Sequence, residues 1–161
     1  MKSVYFAGPD VFRPDYQEHL VLVRGLCREA GIQPLLPGDV VLSDSKEIFN
    51  HNISLIRQAD GIIANLNPFR SPVEPDSGTV FECAFAYALN KPVIGIIADG
   101  SEMLAKLNKA GLGPAVAGGA DSYGFQVENF GHPLNLMLIH GLAALCGSLE
   151  EAIKAWTGLR Y

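Results

Sequence analysis

Hydrophobic and polar positions along this chain switch between two periods. Near the start, "SVYFAG" is a short apolar run rich in β-favouring residues and stopped by Gly8-Pro9, which predicts a buried strand ending in a loop. From Asp15 to Ala30 the residues Leu20, Val23, Leu26 and Cys27 recur at helical spacing, and Gly31 stands where a helix end takes a left-handed residue. "IQPLLP" predicts a second strand. Asp44 or Ser45 then caps a helix running through Arg57, with Ile48, Ile53 and Ile56 on its inner face. "DGIIANL" predicts a third strand, "FECAFAYALN" a helix, and "KPVIGII" a fourth strand that is apolar at nearly every position. Apolarity on both sides belongs to the interior of a parallel sheet covered by helices on both faces. The alternation therefore predicts a doubly wound α/β fold in one domain spanning residues 1–161.

Later stretches add less. Gly111 to Gly124, "GLGPAVAGGADSYG", is too rich in glycine to pack as an element and reads either as a lid or as a plain surface loop. The apolar run after Pro133 predicts a helix from about Leu134 to Cys146. Ser148 caps a last helix, with Glu151 placed for a capping box.

In a doubly wound sheet, ligands bind beyond the carboxyl ends of the strands. "AGPDVF", "NLNPFRSPVEPDSG" and "ADGSE" all fall there, so the chemistry is sought in these loops. Composition narrows the partners. With 161 residues, a formal charge of -5 and a pI near 5.3, the chain lacks the clustered basic surface that a phosphate backbone requires. Nucleic acid is excluded and small molecules are expected. No apolar run reaches the roughly 20 residues of a membrane span, and "MKSVYFAGPD" meets Gly8 and Pro9 too early for a signal-peptide core, so a cytoplasmic location is expected. Cys27, Cys83 and Cys146 are widely spaced in apolar stretches and read as buried reduced thiols. Asn52-Ile53-Ser54 fits a glycosylation sequon but carries no meaning without a secretory signal.

The stretch "DSGTVFE", Asp76 to Glu82, holds two carboxylates at the mouth of a helix. Asp76 or Ser77 accounts for itself as a helix cap. Glu82 does not: it lies beside the ligand crevice, among Val80, Phe81 and Phe85, where a carboxylate is stripped of water. Gly78 lets a ligand approach the backbone closely. Asp60 opens the third strand and serves either as a turn residue or as a further carboxylate of the site. Tyr5 is either a core residue with its hydroxyl at the rim or a partner for the site, and Phe12 is either core or a stacking platform. Other chemistries find no support. Ser77 has no base nearby, the four histidines show no metal-binding spacing, and Gly8 stands alone where a dinucleotide fingerprint needs three glycines. Neither a metal nor a cofactor is expected. Clustered carboxylates without metal suit glycosidic-bond chemistry, in which one carboxylate attacks or stabilises a sugar cation and another manages the leaving group's proton.

Three blocks, "VYFAGPDVF", "ADGIIANLNPFRSPVEPDSGTVFECAFAYA" and "NFGHPLNLML", resemble in order the signature regions of the nucleoside deoxyribosyltransferase family. The resemblance implies a flavodoxin-like fold and transfer of a 2′-deoxyribosyl group between nucleobases. It implies that Glu82 is the nucleophile forming a covalent ester with the sugar, that Asp76 and Asp60 contact the base and help to protonate it, and that Tyr5 orients the nucleophile. It further implies that Asn135 and Met137 close the sugar site of a neighbouring subunit, with Asn135 at the 5′-hydroxyl, so that a homo-oligomer is expected. Gly8, Phe12 and Gly78 complete the candidate substrate-binding residues. The substrates implied are a deoxynucleoside and a free nucleobase. A related activity on the same fold, hydrolysis of deoxynucleoside 5′-monophosphates, uses small hydroxylic residues where this chain has Asn135-Leu136-Met137, so the uncharged 5′-hydroxyl is favoured. A phosphoribohydrolase would need paired glycines before "PDSGT", and a non-catalytic nucleoside sensor would have no need of every matched carboxylate. The C-terminal Tyr161 either brings its carboxylate to the pocket, as in some relatives, or ends a free tail.

Overall fold

A computed structural model of the chain describes all residues except 117, 160 and 161, so Tyr161 lies outside the described residues. Five strands, β1 (Lys2–Ala7), β2 (Ile32–Leu35), β3 (Gly61–Asn65), β4 (Val93–Ile96) and β5 (Ala144–Cys146), pair in the order β2-β1-β3-β4-β5 and are all parallel. This is the flavodoxin-like doubly wound order expected from the pattern. Helices α1 (Tyr16–Glu29) and α6 (Leu149–Gly158) cover one face; α2 (Ser45–Gln58), α3 (Ser77–Ala88) and the single turn α5 (Leu136–Ile139) cover the other. A sixth helix, α4 (Met103–Lys109), follows β4.

Strand alternation divides the core. Val4, Ile63 and Ile94 pack under α1 and α6 with Leu20, Val23, Cys27, Ile153 and Trp156. Tyr5, Ala7, Ile62, Ala64 and Val93 face the other way, toward Ile56, Cys83 and Ala86. Tyr5 thus enters a buried layer beneath α2 and α3. The face carrying Trp156 requires a glycine at Gly61, because a Cβ there would stand 2.4 Å from the indole Cζ3.

Caps agree with the sequence. Asp44 accepts from the Glu47 amide at 2.9 Å, and Gly31 takes φ 67° after α1. Ser148 Oγ accepts from Glu151 N, while the Glu151 carboxylate reaches past it to Gly147 N at 2.8 Å, one residue beyond a standard capping box.

Two expectations are corrected and one helix is added. The stretch 134–146 is not one helix: α5 is one turn long, and Ala144–Cys146 leave it to extend the sheet as β5, hydrogen-bonded to β4. A three-residue strand inside a continuous apolar run cannot be told from helix by periodicity. The added helix, α4, is seven residues long and has no side-chain cap to announce it. On α2, Ile48 is 40% exposed, and the buried side runs instead through Leu55 and Ile56 to Ala59 at the helix end. Near Gly111 and Gly124, Ser122 N donates to Leu112 O and Asp121 N to Phe125 O.

Candidate active site

Because α3 follows β3, its first turns lie at the carboxyl edge of the sheet. Asp76 is its N-cap: Oδ2 accepts from the Thr79 amide at 2.8 Å and from the Thr79 hydroxyl at 2.9 Å. A Cβ on Gly78 would stand 3.0 Å from that same Oδ2, so the glycine leaves room for the carboxylate. In the second turn, Glu82 turns inward. Its Oε1 accepts from the Tyr5 hydroxyl at 2.6 Å, joining β1 to α3, and Asn52 Nδ2 on α2 stands 3.5 Å from the same oxygen.

Two opposed effects set the charge of Glu82. Burial raises the carboxyl, and the nearby Asp76 carboxylate raises it further; the bonds from Tyr5 and Asn52 lower it, and the balance is a pKa of about 7. Tyr5 is pushed well above the ordinary phenol range by burial and by the Glu82 charge, so it remains a donor. Glu82 therefore gains its charge, and with it the ability to act as a nucleophile, progressively as pH rises through neutrality. Loss of the Tyr5 hydroxyl removes a bond that favours the ionised form. In Tyr5→Phe the acid limb of the kcat/KM profile is expected to move to higher pH, with turnover at pH 7 falling about 10- to 100-fold. A profile superimposable on the wild type would separate Tyr5 from the charge state of Glu82.

Asn52 is a site residue that sequence reasoning missed. Its Oδ1, like His51 Nε2, is buried with no hydrogen-bond partner among the described residues. An amide at mid-helix carries no signature of chemistry, and the sequon drew attention to the wrong property. Only the spacing Asn52, Leu55, Ile56, Ala59 placed it on the inner face.

Asp60 requires a correction. It precedes β3, at the amino edge of the sheet, where its Oδ2 accepts from Ser3 N at 2.7 Å and from Ser3 Oγ at 3.1 Å. These bonds and the nearby Lys2 and Lys91 hold its carboxyl below the usual range. In a parallel sheet that edge is opposite the crevice, so Asp60 fastens β3 to β1 and does not meet Glu82. Val80, expected beside Glu82, lies instead on the side of α3 facing α5.

Gly8 belongs to a polar network over the strand ends. A Cβ there would meet Asn65 Cβ at 2.9 Å. Asn65 Nδ2 donates to both oxygens of Asp10, Asn67 Nδ2 donates to Asn65 Oδ1 at 2.7 Å, and Ala98 N donates to Asn67 Oδ1, so the loops after β1, β3 and β4 are tied together. Gly8, Asp10 and Asn65 border a cavity of about 130 Å³ on the α1 side of the sheet. Phe12 is not core: it is 62% exposed, its ring stacked on Phe69 at 5.6 Å, with the Arg70 guanidinium over both rings.

Asn135 and Met137 stand elsewhere. Ser77, Val80, Ala84 and Tyr87 form one stripe of α3 and border, with Asn135 and Met137, an apolar groove of about 620 Å³. At about 100° per residue, Glu82 is almost half a turn away from this stripe. Neither of these two cavities is bordered by Glu82. Next to it on α3 stands exposed Phe81, its ring 6.1 Å from that of exposed Phe49 on α2.

Among the described residues no group of three or more His, Cys, Asp or Glu side chains is arranged to hold a metal ion, and no described helix is long and apolar enough to cross a membrane. The arrangement offers a buried carboxyl held by a phenol and an amide, with a second carboxylate at the helix cap. Such a set can attack a carbon and return a proton to a leaving group.

Known proteins share this frame. A family model described as nucleoside 2-deoxyribosyltransferase matches residues 4–137. The solved structure of a 2-deoxyribosyltransferase from Leishmania mexicana is 38% identical, covers 100% of both chains and superposes with a TM-score of 0.83. A 2-deoxyribosyltransferase from Bacillus psychrosaccharolyticus shares the fold, with a TM-score of 0.60 at 17% identity over 99% of this chain and 93% of its own. An uncharacterized protein of Schizosaccharomyces pombe is 29% identical over 94% of this chain and 84% of its own.

Proposed function

This chain belongs to the nucleoside 2-deoxyribosyltransferase family, enzymes acting on N-glycosidic bonds, and from that premise we propose that it transfers a 2′-deoxyribosyl group from one nucleobase to another through an ester on Glu82. The supporting observation is the Tyr5–Glu82 pair, bonded at 2.6 Å between β1 and α3. Glu82 Oε attacks the anomeric carbon as the bond to the base breaks, and the base leaves with a proton. A second base then attacks the same carbon and gives up its N–H proton to the carboxylate that protonated the first, as the ester bond breaks and the Glu82 carboxylate is restored. Two displacements give net retention.

A nucleobase anion leaves badly, so an acid must supply its proton. Asp60 is fastened at the far edge of the sheet and Asn52 is an amide, which leaves Asp76 as the carboxyl beside Glu82 suited to that role. Among the described residues, the Oδ1 of Asn52 leaves one buried acceptor without a partner on the residue that meets Glu82. A 2′-deoxy sugar has no electron-withdrawing hydroxyl beside the reacting carbon, so its cation forms readily and needs no partner there.

Water would capture the ester, so the site must be enclosed. Glu82 lies beside exposed apolar rings, whereas Asn135 and Met137, the latter 78% exposed, project from the other side of α3. This separation supports a homo-oligomer in which the Asn135 of one copy completes the Glu82 site of the next, with Asn135 at the 5′-hydroxyl.

The test mixes a deoxynucleoside with a second free base and separates the products by chromatography. New nucleoside with the β configuration retained is the expected outcome. Free deoxyribose without exchange would make the protein a hydrolase, and unchanged substrate would make it a binder.

A further inference from the structure

We propose that Glu128 fixes the charge of the pocket for the sugar's 5′ substituent, so that the site admits a 5′-hydroxyl and rejects a 5′-phosphate. The inference rests on the reading that Asn135 meets that substituent in a neighbouring copy's site. Its own observations are separate. Glu128 Oε2 accepts from Asn135 Nδ2 at 2.7 Å, and Glu128 Oε1 accepts from the Leu136 amide at 2.6 Å. Asn135 Oδ1 is already occupied as the cap of α5, accepting from the Met137 amide at 2.9 Å.

The amide is thus locked at both ends. Its carbonyl faces the backbone, one of its two N–H bonds points at Glu128, and only the second N–H remains for a ligand. Whatever enters beside that N–H also meets the half-buried carboxylate behind it. A hydroxyl suits this pair, because it accepts from the amide and donates to an acceptor. A phosphate offers no proton at neutral pH and adds like charge.

The residues bordering the groove beside Asn135 include Glu74 and His140, and no lysine or arginine. Lys106 is buried with its ammonium on the Pro133 carbonyl, and the Met103 amide donates to His132 O at 2.9 Å. Together α4 and Glu128 hold the segment from His132 to Leu136 from two sides. Lys106 acts as a fastener for the backbone, and Glu128 leaves a negative charge at the tip.

The test compares base release from three substrates that share one base: the 2′-deoxynucleoside, its 5′-monophosphate and its 5′-amino-5′-deoxy analogue, which is cationic at pH 7. For the wild type, kcat/KM for the hydroxyl substrate is expected to exceed that for the monophosphate by about 100-fold or more, with the ammonium analogue at least equal to the hydroxyl. Glu128→Gln, of the same size but uncharged, is expected to narrow the hydroxyl-over-phosphate ratio at least about tenfold. Glu128→Asp keeps the charge and so keeps the order of preference, while KM rises because Asn135 is held less firmly. An unchanged ratio in folded Glu128→Gln overturns the assignment, as does a wild type that prefers the monophosphate. If Glu128→Gln does not fold, the wild type decides: an ammonium analogue much poorer than the hydroxyl overturns it. Absence of base release from every deoxynucleoside would sink the transferase reading itself, whereas an active enzyme indifferent to charge at the 5′ position sinks only the role of Glu128.

Discussion

Glu82→Gln is expected to lose base exchange by about 10⁴-fold or more and, above neutral pH, to be more stable than the protein it replaces. The two effects have one origin. Folding raises the Glu82 carboxyl from 4.5 to about 7, chiefly by burial. A carboxyl that holds its proton more tightly when folded contributes stability that is fully present below pH 4.5 and is lost as pH rises through 7. The difference corresponds to about 3 kcal/mol. Glutamine resembles the protonated acid, accepts the Tyr5 hydroxyl in the same way and never ionises. At pH 8.5 the variant should therefore melt roughly 6–12 °C above the wild type, and at pH 4.5 the two should converge. Thermal melts at both values check this. A variant that is less stable at pH 8.5 would mean that the ionised carboxylate is better solvated by its surroundings than the burial of Glu82 implies. Retained exchange would remove Glu82 from the chemistry.

The second large effect concerns the division of the site between copies. Asn135→Ser retains an N-cap hydroxyl for α5 but removes the amide, and is expected to lower kcat/KM about 100-fold through lost positioning of the sugar. Each variant alone is then nearly inactive. If Asn135 of one copy serves Glu82 of another, dissociating and reassociating a mixture of Glu82→Gln and Asn135→Ser proteins creates sites with both native residues. Random pairing in a dimer yields about one such site in four, so activity should return to roughly a quarter of the wild-type level. This restoration cannot arise within one chain. Failure of a mixed, demonstrably hybrid assembly to regain activity would place Asn135 outside the neighbour's site.

The sequence disclosed the frame of this site more readily than its membership. "DGIIANL" and "KPVIGII" are apolar on both sides because both strands are interior, β3 between β1 and β4 and β4 between β3 and β5, under helices on each face. Tyr5 and Glu82 could be paired because alternation along β1 sends Tyr5 toward the layer beneath α3. By contrast, β5 is a three-residue edge strand whose apolarity merges with the turn before it, and α4 is seven residues long without a side-chain cap. Local pattern is weak where so few residues form an element and tertiary pairing decides its state. Asp60 was misplaced although its position was legible: a residue directly before a parallel strand lies at the amino edge, away from the ligand crevice. Asn52 was hidden because an asparagine acquires a role only from what it faces, here a carboxylate supplied by a helix thirty residues away.

Everything in the proposed reaction depends on a bond between the Glu82 carboxylate and the anomeric carbon. The direct measurement is intact-mass spectrometry of enzyme quenched with acid during turnover of a deoxynucleoside without acceptor base, followed by peptide mapping. One added deoxyribosyl group is expected, located on Glu82 and discharged when a second base is supplied before the quench. Unmodified protein under conditions of rapid exchange, or a sugar carried by another residue, would contradict it.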